Sequence, residues 1–185
     1  MEISQLYTLI NHFSDTGRCE DLQRMFAATL SEWEVAKADA TLSSGTTLPN
    51  EPGIYMFVWR PAFYFPQSNG SREHFPVVLY IGKTGDRDSE GTIRSRFASE
   101  YAPILRNADT HNDEDVHEGQ MTRTDKLKIG LSLQPLEFWF SVVKNSKNVG
   151  KLEDQILRMI RPPLNTVLPR IEPLTPRSIW QKEPK

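Results

Sequence analysis

The sequence predicts an α+β fold: a small three-stranded, mainly antiparallel sheet flanked by helices and preceded by a helical N-terminal appendage. Three observations carry that expectation. Apolar residues recur with helical period near the start of the chain and again over 148–160. The runs 53–59, 77–81 and 136–143 are rich in β-branched and aromatic residues, as strands are. Clusters of Pro, Gly and small polar residues separate these runs.

Taken in order, Ile3, Leu6, Tyr7 and Ile10 fall at i, i+3, i+4 and i+7, and Leu22, Met25, Phe26, Leu30 and Trp33 continue the period. Two amphipathic helices follow, with a turn at Ser14-Asp15-Thr16-Gly17 between them and a linker at Ser43 to Pro49 after them. Gly53 to Trp59 and Val77 to Ile81 read as strands. The stretch between, with Pro61, Pro66, Ser68, Asn69 and Gly70, reads as a protruding loop. Thr92 to Tyr101 reads as a helix with Ile93, Phe97 and Tyr101 in one column, and Leu136 to Val143 as a third strand. Asn148 to Ile160 reads as a helix that buries Leu152, Ile156, Met159 and Ile160 and is stopped by Pro162-Pro163. The expected organisation is a helical appendage and linker over 1–48, the main domain over 49–170 and a basic, Pro-rich tail over 171–185.

With 185 residues, 38% hydrophobic and 25% charged, the composition is that of an ordinary globular protein. No apolar run approaches the roughly 18 residues that span a bilayer, and the N-terminus lacks the basic flank and apolar block of a secretion signal. A cytoplasmic protein without membrane association is the expectation. Cys19 is the single cysteine, so one chain holds neither a disulfide nor a thiolate zinc site. The net charge of -2 is unevenly spread: nine basic and four acidic residues from Lys144 to Lys185 leave +5 there and -7 in 1–143. Such polarity either gives DNA one preferred face, because phosphate attraction acts over about a Debye length of 8–10 Å, or is a solvated basic C-terminal surface, the reading that charge alone favours.

Unusual polar residues sit at fixed places on this frame. Gly53-Ile54-Tyr55 is followed by Tyr80-Ile81-Gly82 and Lys83; a helix carrying Arg96 comes next, then Glu153, and twelve residues later Asn165 in Arg-Pro-Pro-Leu-Asn. Each tripeptide alone is explained by packing. The ordered set resembles the GIY-YIG nucleases over roughly Pro52 to Leu168. The resemblance implies a small sheet flanked by helices, one divalent metal, and a DNA endonuclease of restriction, repair, mobile-element or defence type. It implies Mg²⁺, with Mn²⁺ as a substitute, and DNA as the partner; a homodimer would suit a restriction-type enzyme.

Phosphodiester hydrolysis needs a deprotonated water, neutralised phosphate charge and a stabilised leaving oxygen. Glu153 is a hard oxygen ligand of the kind Mg²⁺ uses sparingly, alongside its own waters. Arg96 offers a planar fork for two phosphate oxygens. Arg94 is its competitor but points about 160° away on the helical wheel. Lys83 supplies a second positive charge near the phosphate, lowers a phenol pKa, or caps the loop. The resemblance implies that the Tyr55 and Tyr80 hydroxyls meet at the site, and either could handle the water. Asn165 orders the backbone around the site or is a turn residue after two prolines. Family members commonly place a tyrosine or histidine one turn after the arginine; here that position is Glu100, read as a proton acceptor or as an ion pair with Arg96. Tyr101, one residue on, is rotated by about 100° into the packing column.

Two further features carry less weight. His111 to His117 has metal-ligand residue types but reads as a solvated acidic loop. Trp59, Phe63, Tyr64 and Phe65 beside Arg60 and Arg72 read as a stacking surface or as core aromatics, with Trp59 assigned to the core. The competing function is a non-catalytic DNA- or protein-binding module on the same fold.

Overall fold

The computed structural model describes residues 24, 26–44, 47–66, 68, 70, 72–86, 90–107 and 122–169. The expected helix over 3–10, the turn over 14–17, Cys19, the acidic stretch 111–117 and the tail 171–185 lie outside them. The fold is α+β. Its strands are β1 (Glu34–Lys37), β2 (Gly53–Trp59), β3 (Tyr64–Pro66), β4 (Arg72–His74), β5 (Val77–Thr84) and β6 (Leu136–Val142). Four of them form an antiparallel sheet in the order β1-β6-β2-β5, while β3 and β4 pair as a separate hairpin within the stretch expected to be a protruding loop.

The fourth strand is the difference from the expected three. The helical period holds over 26–29, but Glu34–Lys37 pairs with β6 from Glu34↔Phe140 to Lys37↔Glu137. A bare β6 edge would leave a row of unpaired main-chain groups, and pairing overrides the helical pattern. The 1–48 segment is therefore not purely a helical appendage: it supplies β1 and the fully buried Leu48.

Helices cover both faces of the sheet. On one side, α1 (Ile93–Arg96) opens on an N-capping Thr92 and runs through a π turn (Phe97–Tyr101) into α2 (Ala102–Arg106). Beside it lies α3 (Arg123–Ser132), for which the sequence reading has no counterpart. Ile93, Phe97, Tyr101, Leu127 and Leu131 from these elements bury Tyr55, Phe57, Phe138 and Phe140. On the other side, Val149, Leu152, Ile156 and Leu157 of α4 (Val149–Ile160) bury Ile54, Met56, Val58, Ile81 and Trp139. With both faces covered, β2 is buried along almost its whole length. Among the described residues no helix is long and apolar enough to cross a membrane.

One irregularity positions the site. Phe57 pairs with Tyr80 and Val58 with Val78, so Leu79 is an extra residue in β5. A bulge of this kind resets the alternation of side chains. Leu79 and Tyr80 both enter the aromatic core, and Ile81 the opposite one.

Candidate functional site

Two groups of polar side chains flank the far end of the edge strand β5. The first lies on the aromatic face. Tyr55 and Tyr101 share a hydrogen bond of 2.8 Å between hydroxyls that are almost fully enclosed, and their rings meet edge to face at 5.6 Å. Tyr80 stands 6.5 Å from Tyr55 and 6.1 Å from Tyr101, centroid to centroid. Its hydroxyl accepts a 2.8 Å hydrogen bond from Arg123 Nη2, and the Arg123 guanidinium carbon lies 5.7 Å from its ring centroid. Glu100 bridges two guanidiniums: Oε1 is 2.8 Å from Arg123 Nη2, and Oε2 is 3.0 Å from Arg96 Nη1. Burial pushes the Tyr55 phenol far above the ordinary tyrosine range, and Tyr80 adds to that. Tyr101 is pushed up by burial and then by Tyr55. For Arg123, burial works against the charged form, but the bonds to Tyr80 and Glu100 more than offset it.

Glycines make this packing feasible. A Cβ on Gly82 would lie 2.5 Å from the Tyr55 hydroxyl, so the Tyr55 ring can cross strand β5 because residue 82 has no side chain. A Cβ on Gly53 would strike the Ser141 carbonyl and the Ile93 side chain, which fixes how closely α1 approaches the sheet.

The second group lies with α4 on the other side. Lys83 Nζ is 2.8 Å from Asp86 Oδ2 and 3.2 Å from Glu153 Oε2. Gly150, in the first turn of α4, leaves room for both Asp86 and Lys83, which would crowd a Cβ there at 3.0 and 3.1 Å. Burial pushes the Glu153 carboxyl above the usual range despite the pull of Lys83. Lys83 is itself raised: burial lowers it, and Asp86 and Glu153 outweigh that. A cleft of about 360 Å³ opens beside the group, lined by Lys83, Asp86, Lys147, Gly150, Lys151 and Asp154.

Asn165 ties the edge between the two groups. Its Oδ1 accepts from the Ile81 N–H at 2.9 Å, and its Nδ2 donates to the Ile81 carbonyl at 2.8 Å. The side chain thus pairs with β5 as a neighbouring strand would, directly between Tyr80 and Gly82.

Of the residues singled out by sequence, Tyr55, Tyr80, Arg96 and Glu100 come together in one network, and Lys83 with Glu153 in the other. The structure does not bring Lys83 to a phenol; its partners are carboxylates. Arg94 is occupied away from the site, donating to the Leu48 carbonyl at 2.8 Å. Trp59 packs partly buried against the core, while Phe63 and Tyr64 are exposed. Three residues were missed. Arg123 is the first residue of α3, and the capping box of Thr122 and Asp125 was the signal that a helix begins there. Tyr101 packs in the column of Ile93 and Phe97 and Glu100 meets Arg96 at i, i+4, both as expected; what the helical wheel does not show is that the Tyr101 hydroxyl also bonds Tyr55. Asp86 follows the Gly85 turn, whose φ of 74° returns the chain toward Lys83.

No family model matches the chain, and neither the curated proteins nor the solved structures yield a match. The chemistry must be argued from the groups themselves. The aromatic face offers two guanidiniums bridged by one carboxylate, suited to an oxyanion, and a phenol facing one of them. The α4 face offers two carboxylate oxygens around one cationic point, the position of Lys83 Nζ. Two carboxylates are as many as a hard divalent ion that completes its shell with water and phosphate uses, but Lys83 stands between them, and among the described residues no three His, Cys, Asp or Glu side chains gather to hold a metal.

Proposed function

We propose that this protein is a metal-dependent DNA endonuclease of the GIY-YIG kind. The observation that carries the reading is that Tyr80 and Lys83, three residues apart on the edge strand β5, belong one to each group. Three residues of strand span roughly 10 Å, and the 162–165 segment covers the strand edge between them, so a DNA strand would meet the two groups on either side of that segment. Glu153 would hold Mg²⁺ with Asp86 as a second oxygen donor, and the ion when bound supplies Lewis-acid neutralisation and a more acidic water. Arg96 grips non-bridging phosphate oxygens through its fork. Glu100 aligns Arg96 with Arg123; with both oxygens already accepting hydrogen bonds, it suits that task better than taking a proton. Lys83, whose Nζ lies where the ion would sit, would turn aside from the two carboxylates and add its charge to the field on the phosphate. Asn165 keeps β5 straight between the two groups, so that Tyr80 and Lys83 hold their spacing.

A non-catalytic DNA-binding module is the second reading, favoured by the closed Lys83–Glu153–Asp86 cluster, in which the carboxylates already have a cation. Incubating supercoiled plasmid with the protein in Mg²⁺, in Mn²⁺ and in chelator separates the two. Metal-dependent conversion to nicked or linear DNA is expected of the nuclease. Binding without conversion in any divalent metal would favour the module.

A further inference from the structure

Arg123 belongs to none of the motifs in the sequence, yet two residues of the aromatic face hold it in place. Its Nη2 lies 2.8 Å from the Tyr80 hydroxyl and 2.8 Å from Glu100 Oε1. The N–H groups of its Nη1 and Nε have no partner among the described residues. Arg96 is held in a similar way: its Nη1 is 3.0 Å from Glu100 Oε2, while its Nε and Nη2 have no partner among the described residues. Both side chains are nearly half exposed, Arg96 at 45% and Arg123 at 46%. They come from different elements, the end of α1 and the start of α3, so the tertiary fold brings them to one carboxylate.

Two neighbouring guanidiniums repel each other, and Glu100 offsets that repulsion by facing both. Together the three groups carry one net positive charge, the complement of a single phosphodiester. Anchoring Arg123 at Tyr80 and Glu100 also fixes a long side chain in advance, which lowers the ordering cost of binding an anion. We propose that Arg123 is a second phosphate-binding residue, forming with Arg96 a clamp that takes the phosphodiester backbone of DNA on the unpartnered N–H groups of both guanidiniums. The inference rests on the reading of DNA as the ligand.

Duplex binding in chelator tests the clamp apart from catalysis, since no metal is present. Affinity of the full chain for a labelled duplex is followed against salt concentration for the wild type, Arg96→Gln, Arg123→Gln, the double variant, Arg123→Lys and Lys37→Gln. Lys37 lies on β1, at the opposite edge of the sheet, and controls for the loss of a charge as such. Each single glutamine variant of the two arginines is expected to flatten the log–log slope by about one unit, and the double variant by about two. Arg123→Lys should keep the slope but weaken binding, because an ammonium keeps the charge without the planar fork. Lys37→Gln should leave the slope unchanged. If Arg123 merely props Arg96 through Glu100, the double variant will bind as Arg96→Gln alone does, and that result overturns the clamp. An unchanged slope in Arg123→Gln, or an equal flattening in Lys37→Gln, overturns it too. Additive slopes in a protein that cuts in no divalent metal support the clamp and overturn the nuclease reading alone. Absence of duplex binding by the wild type overturns both.

Discussion

At Glu153 burial and ion pairing oppose each other, and burial prevails: the carboxyl sits above its usual range although Lys83 is 3.2 Å away. A carboxyl whose pKa is raised on folding binds its proton more tightly in the folded chain, so the folded state is favoured at low pH and that gain is lost as pH rises through the folded value. At neutral pH ionised Glu153 is thus a stability liability, as is common where a site is arranged for function. Glu153→Gln is expected to abolish cleavage while leaving thermal stability at neutral pH equal to or above wild type, with the difference shrinking toward acid pH. A clear loss of Tm at neutral pH would make Glu153 a structural ion-pair residue instead. Its neighbours in sequence logic, Arg94 and Arg96, should separate in the opposite way. Arg96→Ala should cripple single-turnover cleavage with little effect on Tm. Arg94→Ala should cut normally but lose on the order of 1 kcal/mol, since it forfeits the bond to the Leu48 carbonyl. Equal losses of cleavage in the two variants would remove Arg96 from the site.

At the scale of elements, the site depends on how closely β2, β5 and the 162–165 segment approach. Gly82→Ala would drive a methyl into the Tyr55 ring, whose nearest atoms stand at 2.5 to 2.7 Å from the new carbon. Such overpacking is expected to destabilise the fold by about 1–3 kcal/mol, read by urea denaturation, and to disturb the Tyr55–Tyr101 pair. Unchanged stability would show that the strand yields freely there. Much of this layer was legible in the sequence. The three strands with alternating or fully apolar runs and the α4 helix are legible from periodicity, and Gly-Ile-Tyr and Tyr-Ile-Gly from their resemblance to a known motif, since each alone is explained by packing. The rest was illegible for identifiable reasons. Glu34–Lys37 has no strand pattern of its own and becomes a strand through β6. The Tyr55–Tyr101 hydroxyl bond joins side chains 46 residues apart on different elements, which no local periodicity shows. Helix α3 has weak amphipathic character and lies between a polar stretch and a strand, so only its capping box marks it, and Arg123 was lost with it.

At the scale of the whole molecule, charge is placed with the proposed chemistry. The C-terminal part from Lys144 carries the basic excess, and Lys147 and Lys151 line the cleft beside Lys83 and Asp86. Each phosphate contact made by such lysines releases counterions, so replacing both by alanine should weaken duplex binding at low salt and flatten the log–log salt dependence by about one unit per lysine. An unchanged slope would route DNA elsewhere. The central claim, that the tyrosine face and the carboxylate face act on one DNA strand, is tested most directly by cleavage of a labelled duplex in Mg²⁺ by wild type, Tyr80→Phe and Glu153→Gln side by side, with binding measured on the same samples. The account predicts that the wild type cuts, and that both variants bind DNA within a few-fold of it yet cut at least about 10²-fold more slowly. A wild type that does not cut, or either variant cutting at the wild-type rate, would contradict it.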